Sequence, residues 1–417
     1  MELFGTVVIY IVMACAVLGA VAAIRNADRG LGKEFMQGIY SIGPIFVPVA
    51  GIMASIPYLS VGIKTLCGPA FELVGADPGM AATTFIAVDM GGYQLAQSLA
   101  DGVDNWIMAT VVGYMSGATI IFSIPVGLAM LRKSDHKYMA LGIMAGVLSI
   151  PIGVATSFVI LASSSPNVRG AIAPHGPPDV QLAINLGQVF ANLTPLIMFV
   201  VVLAVGLRFI PDLMITLFIL FGRTMDAAIK LVLVSCIVEA FTGLFAKLFG
   251  GWGFEPIISN GRDGELRALE IAGYIGIMLA GAFPMVYLIQ KYLSRPMEAV
   301  GRKLGLEAAG AAGLLATVAN ILAMFRIVEQ MRPKDKVLVI AFAVCAAFLF
   351  GDHLAFTANF QPTLVLPIMV GKLTGGLCGF ALAYWLSVPK ALELESRDQR
   401  PTLHTDHKVF PRRQTLE

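Results

Sequence analysis

Asp89 is the only formal charge between residues 79 and 100, within TTFIAVDMGGYQLAQ. An ionised carboxylate in so apolar a setting costs on the order of 2.5–3.5 kcal/mol to insert into a membrane, so it needs a partner. Gly91 and Gly92 follow at once and let a backbone turn sharply and approach a ligand. Asp89 is therefore a candidate to pair with a cationic solute. Its alternative role is structural, accepting bonds from N–H groups at a broken-helix start, where the helix dipole favours an anion. Tyr93, one helical turn on, can cover an ammonium with its ring, a contact worth roughly 0.5–2 kcal/mol, or simply pack.

A second concentration of chemistry is Gly351-Asp352-His353, which ends one apolar stretch and leads into LAFTANFQPTLVLP, where Pro362 and Pro367 interrupt helical bonding. Asp352 can supply a second anion, and His353 can donate to a hydroxyl or relay protons near neutral pH. Asn320, in the middle of LLATVANILAMF, offers a donor and an acceptor and suits a hydroxyl, although helix-to-helix bonding is an equal use of it. Lys372, in GKLTGG, can neutralise a carboxylate or snorkel to the surface, and a cation there opposes a cationic solute.

The elements that hold these residues are membrane helices. The 417 residues are 57% hydrophobic and 13% charged with mean hydropathy +0.79, against about 45–50% and 25% in soluble domains. A membrane helix needs about 20 apolar residues. Uncharged runs of that order recur at 3 to 24, 38 to 63, 105 to 131, 138 to 163, 180 to 207 and 271 to 290. The first run lacks a basic stretch ahead of it and is read as a retained helix. Lys and Arg gather in 25 to 37, 132 to 137, 291 to 303 and 326 to 336, which places those loops in the cytoplasm. The loops 95 to 104, 163 to 179 (with Arg169 alone) and 250 to 265 are poor in bases and should be external.

Threading the chain through these assignments requires the stretches 66 to 98 and 304 to 326 to enter and leave on one side. Both contain glycine, which interrupts helices where they line cavities. The expected fold is an all-α polytopic membrane protein of about nine transmembrane helices plus two re-entrant hairpins, with the N-terminus external and the C-terminus cytoplasmic. Sliding the chain by about 231 residues sets Asp89 on Asn320 and the 105 to 131 span on 336 to 360. An odd number of crossings separates the copies, which makes this an inverted repeat, about 38 to 131 and 266 to 360, inside one transport domain over 1 to 390. In such folds the solute binds near the midplane between broken helices. The polar segment 391 to 417 is expected to be a disordered tail.

Other classes lack their parts. The net charge of +2 is scattered over loops, with no basic face for nucleic acid. The five cysteines are far apart, with no CxxC spacing, so neither metal nor cofactor is expected. HExxH, GxSxG and clustered histidines are missing, so an enzyme is not expected.

The strings AVDMGGYQLAQSLA, SGATIIFSIPVGL, GDHLAFTAN and PIMVGKLTGG, in this order, resemble the bacterial ethanolamine-utilisation permease family over most of residues 30 to 388. The resemblance implies uptake of ethanolamine across the bacterial cytoplasmic (inner) membrane, for degradation by a cobalamin-dependent lyase. It agrees with the residue reading, because a primary aminoalcohol is a cation at neutral pH and carries one hydroxyl. Asp89 and Asp352 would bind the ammonium, Asn320 and His353 the hydroxyl, with Tyr93 as a wall and Gly91, Gly92 and Gly351 shaping the backbone. A channel-like pore for small amines or other small solutes is the alternative. A homo-oligomer is the expected way to build a fixed scaffold.

Overall fold

The computed structural model describes residues 1–259 and 266–398. Helices dominate; among the described residues the only strands are a two-residue pair, Asn167–Val168 against Val180–Gln181, in the loop after residue 164. Among the described residues, seven helices are long and apolar enough to cross a membrane: Glu2–Arg25, Gly30–Ala54, Gly102–Met130, Lys133–Ser164, Leu186–Phe209, Ala268–Lys303 and Pro362–Leu386. They are not equivalent. Glu2–Arg25 is only 17% buried over its most apolar window, whereas Gly102–Met130 is 94% buried. The first turns its side chains outward to lipid; the second is the central post.

Local chemistry explains several boundaries. Asn185 starts Leu186–Phe209 with a capping box: its side chain accepts from the Gln188 amide at 2.9 Å, and the Gln188 side chain accepts from the Asn185 amide at 3.0 Å. Proline opens Ile56–Leu66, Ile150–Ser164 and Pro333–Ala346, at positions whose N–H has no helical partner.

Four interruptions break the regular pattern around the central post. The first separates Gly79–Phe85 from Gly92–Leu99, with Ile86 and Ala87 extended, a single tight turn at Val88–Met90, and Gly91 at φ 94°. Only glycine adopts that φ without strain. A side chain on Gly92 would strike the carbonyls of Ala87 and Ile86 at 2.5 and 2.7 Å. The second break is one residue wide: Asn320 is extended between Ala308–Ala319 and Ile321–Val328, and its side chain caps the second helix through Leu322 N at 2.8 Å. The third is a run of π-helical turns, Gly113–Ser123, inside the post. The fourth is the unwound segment 347 to 351 between Pro333–Ala346 and Asp352–Phe360, where Phe348 has φ 61° and Gly351 lies against the Ala319 carbonyl.

In both broken pairs one carboxylate ties the entrance to the exit. Asp77 accepts from Gly79 N at 2.7 Å and Asp101 N at 2.8 Å. Asp335, fully buried, accepts from Glu307 N at 2.9 Å and Arg332 Nε at 3.0 Å. The expectation that the tail is disordered from 391 is corrected in part, because a helix runs over Val388–Asp398; the rest of that segment, 399 to 417, lies outside the described residues.

Asp335→Ala strands the Glu307 amide and leaves Arg332 with only Glu307 and the Gly305 carbonyl, and should cost roughly 2 kcal/mol, read as a lowered thermal midpoint in detergent. Arg132→Ala, which breaks a loop ion pair with Glu329 whose side chains are 70% and 35% exposed, should cost no more than about 1 kcal/mol.

Candidate functional site

A largely apolar cavity of about 290 Å³ with one polar wall lies where these interruptions meet. Asp89 reaches it from the first break, Asn320 from the second, and Asp352 and His353 from the start of the helix after the unwound segment. Residues distant in sequence thus share one wall. Gln37 and Ser41 add polar groups at the exposed side, and Phe122, Phe283 and Phe348 supply apolar surface. At about 30 Å³ per liquid water the space suits a solute of a few heavy atoms with some water. A larger crevice of about 600 Å³ shares Pro44, Pro48, Met90 and Phe122 with it, but apart from Arg223 and Asp226 its lining is apolar. The convergent polar groups are in the smaller space.

Asp352 is the first residue of its helix and Asp89 precedes Gly92–Leu99 by one tight turn, so both carboxyl groups stand at the partial positive end of a helix. The side chain of Asn320 spends its oxygen on the Leu322 amide, which leaves its NH₂ to face the cavity as a donor. The His353 ring sits between Tyr114 (5.1 Å between centroids) and Phe348 (5.2 Å), and its Nδ1 is buried without a partner among the described residues.

Orphan carbonyls around the breaks are satisfied by neighbouring side chains and backbone. Ser116 Oγ donates to Thr84 O and Thr119 Oγ1 to Val344 O, both at 2.8 Å, near the ends of two interrupted helices. The unwound segment donates Phe348 N to Thr317 O at 3.3 Å and Phe350 N to Val318 O at 2.8 Å. Lys372, 1% exposed, donates from Nζ to the Tyr114 carbonyl at 2.8 Å. Its depth rules out snorkelling.

Tyr93 is placed elsewhere. It does not line the cavity; its ring packs on Trp106 at 4.6 Å and Phe356 at 5.4 Å, and its hydroxyl accepts from Gln361 Nε2 at 2.8 Å. Gln361 also donates to Arg169 O at 2.8 Å, and Arg169 Nη1 caps the helix end at Asn359 O at 2.6 Å and holds Ala173 O at 3.0 Å. Arg169, Gln361 and Tyr93 therefore clamp the 165 to 185 loop, the end of Asp352–Phe360 and Gly92–Leu99 together. Sequence reasoning missed this clamp. Its one signal was that Arg169 is the lone base of its loop. The same reasoning missed Ser116 and Thr119, whose hydroxyls inside an apolar run were the available clue.

A multi-pass helical membrane protein with a small cavity, one wall of it polar, built on interrupted helices has the architecture of a solute permease. The chain belongs to the family described as ethanolamine utilisation protein, EutH, whose model matches residues 4–386. It is 36% identical over 382 residues to the probable ethanolamine permease EutH of Listeria monocytogenes, covering 91% of this chain and 94% of the relative. It is 37% identical over 371 residues to the protein of the same name from Escherichia coli strain K12, covering 87% and 86%. An uncharacterized protein, YxeR of Bacillus subtilis, is 31% identical over 394 residues, covering 94% and 97%. No solved structure matches the chain.

Tyr93→Phe should cost about 1 kcal/mol of thermal stability through the lost Gln361 bond. It should leave the affinity for a cavity-bound cation within about twofold of the parent, by equilibrium binding to purified protein.

Proposed function

We propose that the chain takes up ethanolamine across a bacterial cytoplasmic membrane by alternating access. The carrying observation is that Asp89, Asn320, Asp352 and His353 meet in one small cavity. Two carboxylates suit the ammonium, while the Asn320 amide and the His353 ring suit the hydroxyl. The names of the Listeria and Escherichia relatives point to the same solute.

The arrangement of breaks supports an inverted repeat within a single transport domain over 1 to 390. At the offset of about 231 residues the first break falls on the second, and the π-helical turns Gly113–Ser123 fall on 344 to 354, around the unwound segment. The carboxylate ties at Asp77 and Asp335 fit two re-entrant hairpins whose ends return to one side. Pro211–Thr242 and the split pair Pro333–Ala346 and Asp352–Phe360, taken as spans beside the seven long apolar helices, support a fold of about nine.

The exposed Gln37 lines the cavity at the end of the Lys/Arg-rich stretch 25 to 37, and the Arg169 clamp lies at a base-poor loop. These positions support an inward-facing state with the N-terminus external and the C-terminus cytoplasmic, and a carrier over an open pore. The 32-residue helix Pro211–Thr242 rises about 48 Å and exposes Arg223, Asp226 and Lys230 near its middle. Lipid does not tolerate charge there, which supports a homo-oligomer that covers this face. A single-copy mass in mild detergent would remove that part of the proposal.

Radiolabelled ethanolamine uptake into proteoliposomes should be saturable. Asp89→Asn should lower it at least about tenfold, the equivalent of one lost charge-assisted hydrogen bond, with the thermal midpoint retained. A response to an imposed proton or sodium gradient marks a coupled carrier and indifference marks a facilitator. Unchanged uptake by correctly inserted Asp89→Asn protein would return Asp89 to a structural role.

A further inference from the structure

Lys372 is a buried cation that the proposed binding scheme does not use. It lies in Val365–Leu386 beside Gly371, and its ammonium makes one hydrogen bond, to the Tyr114 carbonyl at 2.8 Å. An ammonium has three protons to donate, and burial without an opposite charge is costly. No carboxylate among the described residues lies within 4.0 Å of it. Tyr114, whose carbonyl holds the ammonium, presents its ring to His353 at 5.1 Å, and His353 lines the cavity with Asp89 and Asp352. Lys372 is thus one side chain behind the cavity wall. Asp89 acts electrostatically on both Lys372 and Asp352, and the other titratable neighbours of the ammonium are His353 and the Cys345 thiol.

We infer that Lys372 is a specificity-determining residue that sets the charge the cavity accepts, so that the loaded site is balanced by one monovalent organic cation and disfavours a dication. With Asp89, Asp352 and Lys372 all charged, two carboxylates and one resident ammonium leave a single negative charge in an interior that screens charge poorly. One protonated amine cancels it. A diamine carrying two ammoniums overshoots and leaves net positive charge among buried groups. Shape alone would not discriminate, because a diamine and an aminoalcohol of equal length fill the same space.

The inference rests on the proposed amine site, and the test separates the two. Purified full-length protein is loaded with radiolabelled ethanolamine, which is competed with 3-amino-1-propanol or with 1,3-diaminopropane, two ligands that differ by a hydroxyl in place of an ammonium. The wild type should prefer the aminoalcohol. Lys372→Gln keeps a donor for the Tyr114 carbonyl but removes the charge, and should shift the ratio of the two affinities toward the diamine at least about tenfold. Lys372→Arg keeps the charge and should retain the wild-type order. A ratio unchanged in Lys372→Gln, or reversed in Lys372→Arg, overturns the inference while ethanolamine binding stands. If Lys372→Gln does not fold, the order in Lys372→Arg and in the wild type decides: a wild type that prefers the diamine overturns the inference outright. Absence of saturable ethanolamine binding to the wild type overturns the amine site itself.

Discussion

A helix that stops inside a bilayer leaves up to four carbonyls without partners, and hydrocarbon offers no water to replace them. That constraint organises the centre of this protein. The ends of Gly79–Phe85, Ala308–Ala319 and Pro333–Ala346 converge on one region, and Ser116, Thr119 and the unwound backbone at Phe348 and Phe350 answer their carbonyls. The opposite ends, the helix starts, carry partial positive charge, and there stand Asp89, Asn320 and Asp352. The cavity is what remains once both kinds of helix end have been satisfied.

Most of the polar wall was legible in the sequence because a charge or amide in an apolar run is conspicuous. Asp89, Asn320 and Asp352 announced themselves individually, and the offset between the first two already paired the breaks that the structure brings together. Gly91 and Gly92, expected to let the backbone turn and approach a ligand, do turn it, but a side chain there would strike Ile52 or the Ile86 and Ala87 carbonyls, and neither glycine lines the cavity. Tyr93 shows the limit of that reading. Helical spacing puts it on the same face as Asp89, but which neighbours that face meets depends on Trp106, Phe356 and Gln361, the last 268 residues away. The Arg169 clamp was invisible for the same reason, since its strongest partner is a backbone carbonyl 190 residues distant. The π-helical turns of the central post have no local sequence mark beyond small and hydroxyl residues, which read equally well as an ordinary span.

The position of Lys372 changes how the site's charge is understood. From the sequence, a lysine near the cavity counted against a cationic solute. In the structure its ammonium is held behind the wall on a carbonyl that the π-helical turns present, so it does not occupy the space between Asp89 and Asp352. The Arg169 clamp ties the base-poor 165 to 185 loop to the broken helices, while the exposed Gln37 lines the cavity at the end of the basic stretch 25 to 37.

The central claim is that a protonated aminoalcohol binds between Asp89 and Asp352. Equilibrium binding of radiolabelled ethanolamine to the purified protein, carried out with Asp352→Asn beside the wild type, tests it most directly. The account predicts saturable binding at one site per chain that weakens when the second carboxylate is neutralised. Saturable binding that is indifferent to Asp352, or no saturable binding at all, would contradict it.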